Sequence, residues 1–413
     1  MLNKCQEKAL DALLEFCYSQ EKFICLSGMP GTGKTYLLNK LASQLDTINT
    51  VLKIAGRTPF IDIRFTATTN KAATVLKESL DSEYATTVYK LFGIKVTNDY
   101  RTGEEKLDFT RAITVPDSLI IIDEASMLSY EVLEYINKYA IRSKVIFVGD
   151  KNQLPTVSGT SADVFNRFKV IELTKIMRQK PSLAKAIKNA KNALEAGEMI
   201  DLPSMESESI IRLNKSDFLD SIVNMGLNDK ILCYTNSKCI AYNSHIRSEL
   251  GLPTTPIRGD LCVSKGRVES KFNGMGTAYV LNAEESFVIT DVKPVDRYIY
   301  VGGCKYGVKL YETPKGAFIG LEKPELYPLI LKSAYSECKQ LKDYSNYIYI
   351  KEHILDPRFY YSSTIHSAQG STYDNVYIDL NDIMKGRGAT KETKNKLLYV
   401  AISRAKNKIY FVE

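Results

Sequence analysis

Phe23-Ile24-Cys25-Leu26-Ser27-Gly28-Met29-Pro30-Gly31-Thr32-Gly33-Lys34-Thr35 is the stretch on which the reading of this chain turns. A short apolar run breaks into a glycine-rich turn, then Lys-Thr. The apolar-periodic Tyr36-Leu37-Leu38-Asn39-Lys40-Leu41 follows. Gly28, four residues, then Gly33-Lys34-Thr35 meet every fixed position of a phosphate-binding loop. Glycines at 28, 31 and 33, with Pro30 and Thr32 between them, let backbone N–H groups curl round a polyphosphate. The helix that follows adds partial positive charge at its N-terminus. Lys34 can reach the terminal phosphates, and the Thr35 hydroxyl can ligate Mg²⁺. The alternative is a plain glycine turn between a strand and a helix. All fixed positions and both flanking elements are present, so the stretch is read as half of a nucleoside triphosphate site, with Mg²⁺ as the expected metal.

Working outward, the 413 residues exceed one core and suggest two to four domains. The chain is 44% hydrophobic and 25% charged, the balance of an ordinary soluble globular protein. A net charge of +7 permits an anionic partner without demonstrating one. No run of about 18 apolar residues exists, so no membrane span is expected. The N-terminal Met1-Leu2-Asn3-Lys4-Cys5-Gln6-Glu7 lacks the apolar core of a signal peptide. The 8 cysteines are scattered without a C-x-x-C pair and are read as reduced thiols, with no zinc site. Tyr is abundant at 26 and Trp absent, which leaves Tyr and Phe for any base stacking.

Residues 3–18 have the spacing of an amphipathic helix with Leu10, Leu13, Leu14 and Cys17 on one face. Beyond the loop, Ile61–Thr69 reads as a strand, and Ser118–Ser126, an apolar run ending in two acids, and Lys144–Asp150 read as buried runs alternating with helical stretches. That pattern predicts a parallel sheet covered on both faces, with polar residues gathered at the strands' carboxyl ends. Asp123-Glu124 is the second strong signal: Asp123 suits Mg²⁺ ligation and Glu124 suits activation of the attacking water. Residues 93–109 read as a β-hairpin carrying Tyr100 and Phe109, aromatics that either face a partner or merely pack the hairpin. From Val170 a second α/β unit begins, with strands at Ile231–Thr235, Asn375–Leu380 and Lys408–Val412 and a helix at 236–250. Residues 252–355 run β-rich, including meandering strands at Gly274–Asn282 and Phe287–Val292, with a helical stretch at 325–343.

Taken in order, these motifs form a set that resembles superfamily-1 helicases, in the 5′-to-3′ branch that contains RecD and, nearest, the Dda-type helicases of T-even-type phages. Leu2-Asn3-x-x-Gln6 resembles an adenine-sensing motif, and Gly28–Thr35 the first nucleotide motif. Thr66-Ala67-Thr68-Thr69-Asn70-Lys71-Ala72-Ala73 and Thr87-Val88-Tyr89-Lys90-Leu91-Phe92 resemble segments that touch single-stranded DNA. Asp123–Met127 and Gly149-Asp150-Lys151-Asn152-Gln153-Leu154-Pro155 follow, with Gln153 at the γ-phosphate-sensing position. Leu173–Gln179 brings Arg178, Ser363–Ser371 brings Thr364, His366 and Gly370, and Tyr399–Lys406 brings Arg404. Thr68 stands where the family usually has proline, and Tyr89 where it usually has histidine.

The resemblance implies an α/β fold of two RecA-like parallel-sheet lobes. Lobe 1A spans 1–92 and 110–170, and lobe 2A spans 171–251 and 356–413. A β-hairpin pin (93–109) inserts in the first, and an SH3-like β-barrel with a helical segment (252–355) in the second. Lys34, Glu124, Gln153, Arg178 and Arg404 are then catalytic. Gln6, Gly28, Pro30, Gly31, Thr32, Gly33, Lys34, Thr35, Asp123 and Gly370 bind nucleotide, and Thr35 and Asp123 hold Mg²⁺. Thr66, Thr69, Asn70, Lys71, Thr87, Tyr89, Lys90, Phe92, Tyr100, Thr364 and His366 form the DNA track. The implied activity is ATP-dependent 5′-to-3′ translocation and unwinding by a monomer in a bacterial or phage-infected host cytoplasm. Its partners are single-stranded DNA, duplex forks, and replication or recombination proteins such as a single-strand-binding protein. A DNA-stimulated translocase that strips proteins or remodels forks, an RNA helicase and a non-catalytic scaffold are the alternatives. The intact Glu124 and both arginines count against the scaffold.

Overall fold

The computed structural model describes residues 2–80, 85–154, 160–270, 279–386 and 389–413. It divides into two compact units. The first comprises Met1–Lys95, Phe109–Leu213 and Ala368–Glu413, and the second Val96–Asp108 and Asn214–Ser367. Among the described residues no helix is long and apolar enough to cross a membrane.

The first unit is built on β1 (Phe23–Gly28), β2 (Asp62–Ala67), β3 (Thr86–Thr87), β4 (Ser118–Asp123), β5 (Lys144–Gly149) and β6 (Val170–Leu173). They lie side by side in the order β6-β1-β5-β4-β2-β3, every neighbouring pair parallel. Leu119, Ile120, Ile121 and Ile122 of β4 are all fully buried, as a strand with both faces covered requires. Helix α1 (Lys4–Tyr18) presents Ala9, Leu10, Leu13, Phe16 and Cys17 to the same core as Ile24 and Leu26 of β1 and Leu37, Leu38 and Leu41 of α2 (Lys34–Ala42). Because the strands are parallel, Gly28, Ala67, Asp123 and Gly149 all end on one edge, where a site in such a sheet forms.

The same unit holds a further parallel group, β7 (Ile210–Leu213), β8 (Tyr373–Asp379) and β9 (Ala405–Val412), with β9 between the other two. Helices α3 (Pro181–Glu195) and α4 (Lys391–Ile402) pack with each other beside it. Residues 397–402 of α4 are all fully buried, which explains why this stretch shows little amphipathic contrast in sequence.

In the second unit, the strands Lys230–Cys233 and Ser362–Thr364 pair in parallel, and Thr235 caps the helix Asn236–Glu249. Arg247 of that helix is fully buried, donating to Asp260 at 2.9 Å and lying over the Phe359 ring. Antiparallel strands follow: Leu261–Ser264 lies between Ser286–Val288 and Pro357–Phe359, and Asp291–Val301 pairs with Cys304–Thr313 and that with Gly316–Leu321. Of the strand expected at 274–282, Tyr279–Leu281 is present, and residues 271–278 lie outside the described residues. The helix expected at 325–343 runs Tyr327–Leu341, and a second helix, Ser345–His353, follows where a β-rich stretch was expected. Its alternating Tyr and Ile residues favour strand locally. Burial of Ile348 and Ile350 against the preceding helix overrides that preference.

Strands Lys95–Asn98 and Glu105–Asp108 pair with each other. Val96–Asp108 docks on these helices: Lys351 bridges to Glu105 at 2.6 Å, Asn98 donates to Glu352, and the Tyr344 N–H donates to the Tyr100 carbonyl at 3.0 Å.

Candidate nucleotide and nucleic-acid site

The loop after β1 has the shape that its glycines permit. Gly31 and Gly33 both adopt φ of +82°, a conformation that a Cβ disfavours, and a Cβ on Gly33 would sit 2.5 Å from Gln6 Nε2. Gln6 is nearly fully buried and ties two elements together. Its Oε1 accepts from the Asn3 N–H at 3.1 Å, closing a capping box on α1, while its Nε2 donates to the Thr32 carbonyl at 3.1 Å. The Thr32 hydroxyl donates to the Met29 carbonyl at 2.9 Å. Lys34 opens α2 and folds back over the loop, donating from Nζ to the Gly28 carbonyl at 2.6 Å.

Two strands away, β4 delivers Asp123 and Glu124. Glu124 has φ of +53°, a left-handed conformation that costs a non-glycine residue of order 1–3 kcal/mol. The surroundings enforce it. The Glu124 N–H donates to Asp123 Oδ1 at 2.9 Å, and its carbonyl accepts from the Thr68 hydroxyl at 3.1 Å. The Thr68 N–H donates to the Asp123 carbonyl at 3.3 Å, so the end of β2 is stitched to the end of β4. Burial pushes the Asp123 carboxyl up, while the Lys34 ammonium pulls it back. Burial first, then the Asp123 charge, pushes Glu124 up to about 7, with Arg404 and Lys34 opposing. A carboxyl in that range takes a proton from water and returns it near neutral pH. Glu124 Oε2 is buried and has no partner among the described residues.

Asp150, just beyond β5, organises the next turn. Its Oδ1 accepts from the Asn152 N–H at 3.0 Å, its carbonyl accepts from the Gln153 N–H at 3.1 Å, and its Oδ2 accepts from the buried Tyr399 hydroxyl of α4. Burial and the adjacent Asp150 carboxylate hold the Tyr399 hydroxyl well above its ordinary value. Gln153 is buried with its Oε1 unpartnered among the described residues. A cavity of about 590 Å³ opens beside Gln153 and Ser126, rimmed by Lys151, Lys391 and Lys396.

Arg404 follows α4 and is almost wholly buried. Its guanidinium donates to the Val400 carbonyl, to the Ser403 hydroxyl and to the Ser371 carbonyl, at 3.0–3.3 Å. Burial alone would lower its pKa; the nearby Glu124 charge is the largest opposing influence. Gly370 stands at the same place, its Cβ direction meeting Glu124 Oε1 at 3.6 Å. The Met177 N–H donates to the Gly31 carbonyl at 2.8 Å, which sets the Arg178 segment against the loop, and Arg178 Nη1 donates to Thr372 Oγ1 at 3.0 Å. The first unit thus gathers Gln6, the loop, Asp123, Glu124, Gln153, Arg178, Gly370 and Arg404.

The nucleic-acid candidates divide by exposure. Asn70, Lys90 and Tyr100 are exposed, and Thr69, Lys71, Thr87, Tyr89 and His366 are half-buried. Three expectations need correction. Phe92 is fully buried, so its ring packs the core of the short helix Val88–Phe92 instead of offering a stacking face. Thr66 is likewise fully buried, its hydroxyl donated to the Ile121 carbonyl at 2.9 Å. Thr364 is buried, with its hydroxyl donated to Ser367 at 2.9 Å. Tyr100, Thr364 and His366 belong to the second unit. Burial, then Lys265, lowers the pKa of His366 and keeps its imidazole neutral near pH 7. Sequence reasoning passed over Thr68 as a support of Glu124, Tyr399 as a partner of Asp150, and Gln179. Only Gln179 carried a local signal, its place next to Arg178.

The residues fit a nucleotide and a hard cation. The glycine cradle, the lysine over it and the unpartnered Glu124 oxygen suit a polyphosphate with an attacking water. Thr35 and Asp123 are hard oxygen donors of the kind Mg²⁺ prefers. Among known proteins, the family description AAA domain matches residues 1–216, and UvrD-like helicase C-terminal domain matches residues 359–412. The chain is 22% identical over 503 residues to the uncharacterized protein R530 of Acanthamoeba polyphaga mimivirus, covering 100% of both. It is 30% identical over 156 residues to the RecBCD enzyme subunit RecD of Buchnera aphidicola, covering 33% of this chain and 24% of that subunit. Among solved structures, the Pif1 helicase from Bacteroides in complex with ADP-AlF3 and ssDNA matches with a TM-score of 0.50 and 16% identity, over 100% of this chain and 92% of that one. The fold is therefore the parallel-sheet P-loop fold of that structure.

Proposed function

The chain belongs to the AAA domain family, and on that premise we propose that it is an ATP-dependent DNA helicase of the superfamily-1 5′-to-3′ branch that includes RecD and the Dda-type helicases. Its two RecA-like lobes are 1–92 with 110–170 and 171–251 with 356–413, the strand Val170–Leu173 at that boundary belonging to the sheet of the first. One observation carries the reading. Arg404, from the far end of the chain, is buried and donates to the Ser371 carbonyl beside Gly370, whose Cβ direction meets Glu124 Oε1 at 3.6 Å, and the charges of Arg404 and of Lys34 in the phosphate loop both favour the ionised Glu124 carboxyl. A base, a phosphate-binding lysine and an arginine converging on one point are the parts that phosphoryl transfer to water requires.

In this mechanism the loop N–H groups and Lys34 hold the phosphates of ATP. Glu124 takes a proton from the attacking water. Arg178 and Arg404 stabilise the charge that develops on the transferred phosphoryl group, a contribution of roughly 10³–10⁵ in rate for such arginines. Thr35 and Asp123 would hold Mg²⁺, which supplies neutralisation of phosphate charge when bound. Gln153 reads the γ-phosphate and, through the turn on Asp150, links it to the α4 helix, after which Arg404 follows. Asn70, Lys71 and Lys90 neutralise the strand's phosphates, and Tyr89 and Tyr100 are the stacking faces, each base stack being worth ~1–3 kcal/mol.

The test is steady-state ATP hydrolysis with and without single-stranded DNA, with an RNA oligonucleotide as a third arm. The expected result is strong stimulation by DNA and loss of activity in Lys34→Ala. Hydrolysis indifferent to nucleic acid contradicts the proposal, and equal or greater stimulation by RNA reassigns the track.

A further inference from the structure

Gln179 belongs to none of the roles above, yet its side chain rests on the crown of the phosphate loop. A Cβ built on Gly31 would meet Gln179 Oε1 at 2.2 Å and the amide carbon at 3.0 Å. The carboxamide therefore lies in van der Waals contact with the one loop position whose lack of a side chain makes room for it. The Met177 N–H bond to the Gly31 carbonyl at 2.8 Å, two residues earlier, fixes this approach. Both polar atoms of the amide, Oε1 and Nε2, are sealed from solvent, and neither has a hydrogen-bond partner among the described residues. Buried amides in folded proteins almost always find partners, so a group with two orphaned ends at a built anion cradle calls for a ligand that completes it. The two ends exchange by rotation of the last side-chain torsion, so the donor can be presented to the loop.

We propose that Gln179 is a nucleotide ligand, its Nε2–H donating to an oxygen of the phosphate chain seated in the Gly28–Thr35 loop. This inference rests on the reading of that loop as an ATP site. It assigns the Arg178–Gln179 pair a division of labour: Arg178 supplies charge, and Gln179 supplies a neutral donor held at the Gly31 side of the loop.

Calorimetric titration of the full chain with ADP and with a non-hydrolysable ATP analogue, both with Mg²⁺, tests it. Three variants separate the possibilities. Gln179→Met fills the space above Gly31 without a donor, Gln179→Ala empties it, and Gln179→Glu puts a carboxylate against phosphate. A donated hydrogen bond to a charged group predicts about tenfold weaker binding in both Gln179→Met and Gln179→Ala, and a larger loss in Gln179→Glu. Thermal unfolding without nucleotide is expected to be unchanged or raised in Gln179→Met, because an unpaired buried amide is removed. Wild-type affinity in Gln179→Met and Gln179→Glu makes the residue a spacer and overturns the inference, while leaving the ATP site intact. Absence of binding by the wild-type chain overturns both this inference and the ATP reading beneath it.

Discussion

In the proposed mechanism Glu124 is the base, and its surroundings fit a carboxylate that exchanges a proton with water. It is strained into a left-handed backbone, pressed against Asp123, and left with one buried oxygen unpartnered among the described residues. Glu124→Gln keeps the shape and removes the base. The expected result is nucleotide binding near wild type with single-turnover hydrolysis slowed by roughly 10²–10⁴, the range of general-base contributions. A second residue-level prediction concerns stability. Burial raises the thiols of Cys17 and Cys25 from 9.0 to about 12. Below pH 9 both are protonated folded and unfolded, and stability is independent of them. From pH 9 towards 12 the unfolded chain releases protons that the folded chain retains, so stability falls as pH rises, by up to about 1.4 kcal/mol per pH unit for each thiol. Lys144 opposes this, because burial lowers it to about 8 and stability gains as pH rises from there towards 10.5. Urea unfolding across this window should show a shallower alkaline decline in the Cys17→Ala, Cys25→Ala double variant than in the wild type.

At the scale of elements, the site is a set of strand ends fastened to one another. Thr68 fastens β2 to β4, and Asp150 fastens the turn after β5 to α4 through Tyr399. Removing the Tyr399 hydroxyl leaves a buried carboxylate short of a partner. Tyr399→Phe is expected to cost about 1.5–3 kcal/mol in urea unfolding. Combined with Asp150→Ala, the loss should be less than the sum of the single losses, since both variants break one bond. Purely additive losses would show that the bond contributes nothing. These fastenings were not legible in the sequence, because they join residues up to 249 positions apart and no local pattern encodes the pairing. The strands themselves were legible. Runs such as Leu119-Ile120-Ile121-Ile122 have no other comfortable place than a sheet covered on both faces. The helix Ser345–His353 was misread for the converse reason: its Tyr and Ile alternation matches a strand, and only tertiary packing makes it helical.

For the molecule as a whole, the order of motifs along the chain says more about which residues belong to one proposed site than about which of them are exposed. The Lys34 and Arg404 charges both act on the Glu124 carboxyl, an arrangement in keeping with the catalytic roles proposed for the three residues. Phe92, Thr66 and Thr364 were expected on a DNA surface and are buried, because a contact segment needs interior residues to hold it and sequence spacing does not separate the two kinds. The proposed activity is directional motion on a strand, and unwinding measures it most directly. Duplexes carrying a 5′ or a 3′ single-stranded tail, each incubated with the full chain, ATP and Mg²⁺, report both strand separation and its polarity. The account predicts ATP-dependent unwinding of the 5′-tailed duplex and little of the 3′-tailed one. Faster unwinding of the 3′-tailed duplex, or none of either despite DNA-stimulated hydrolysis, would contradict it.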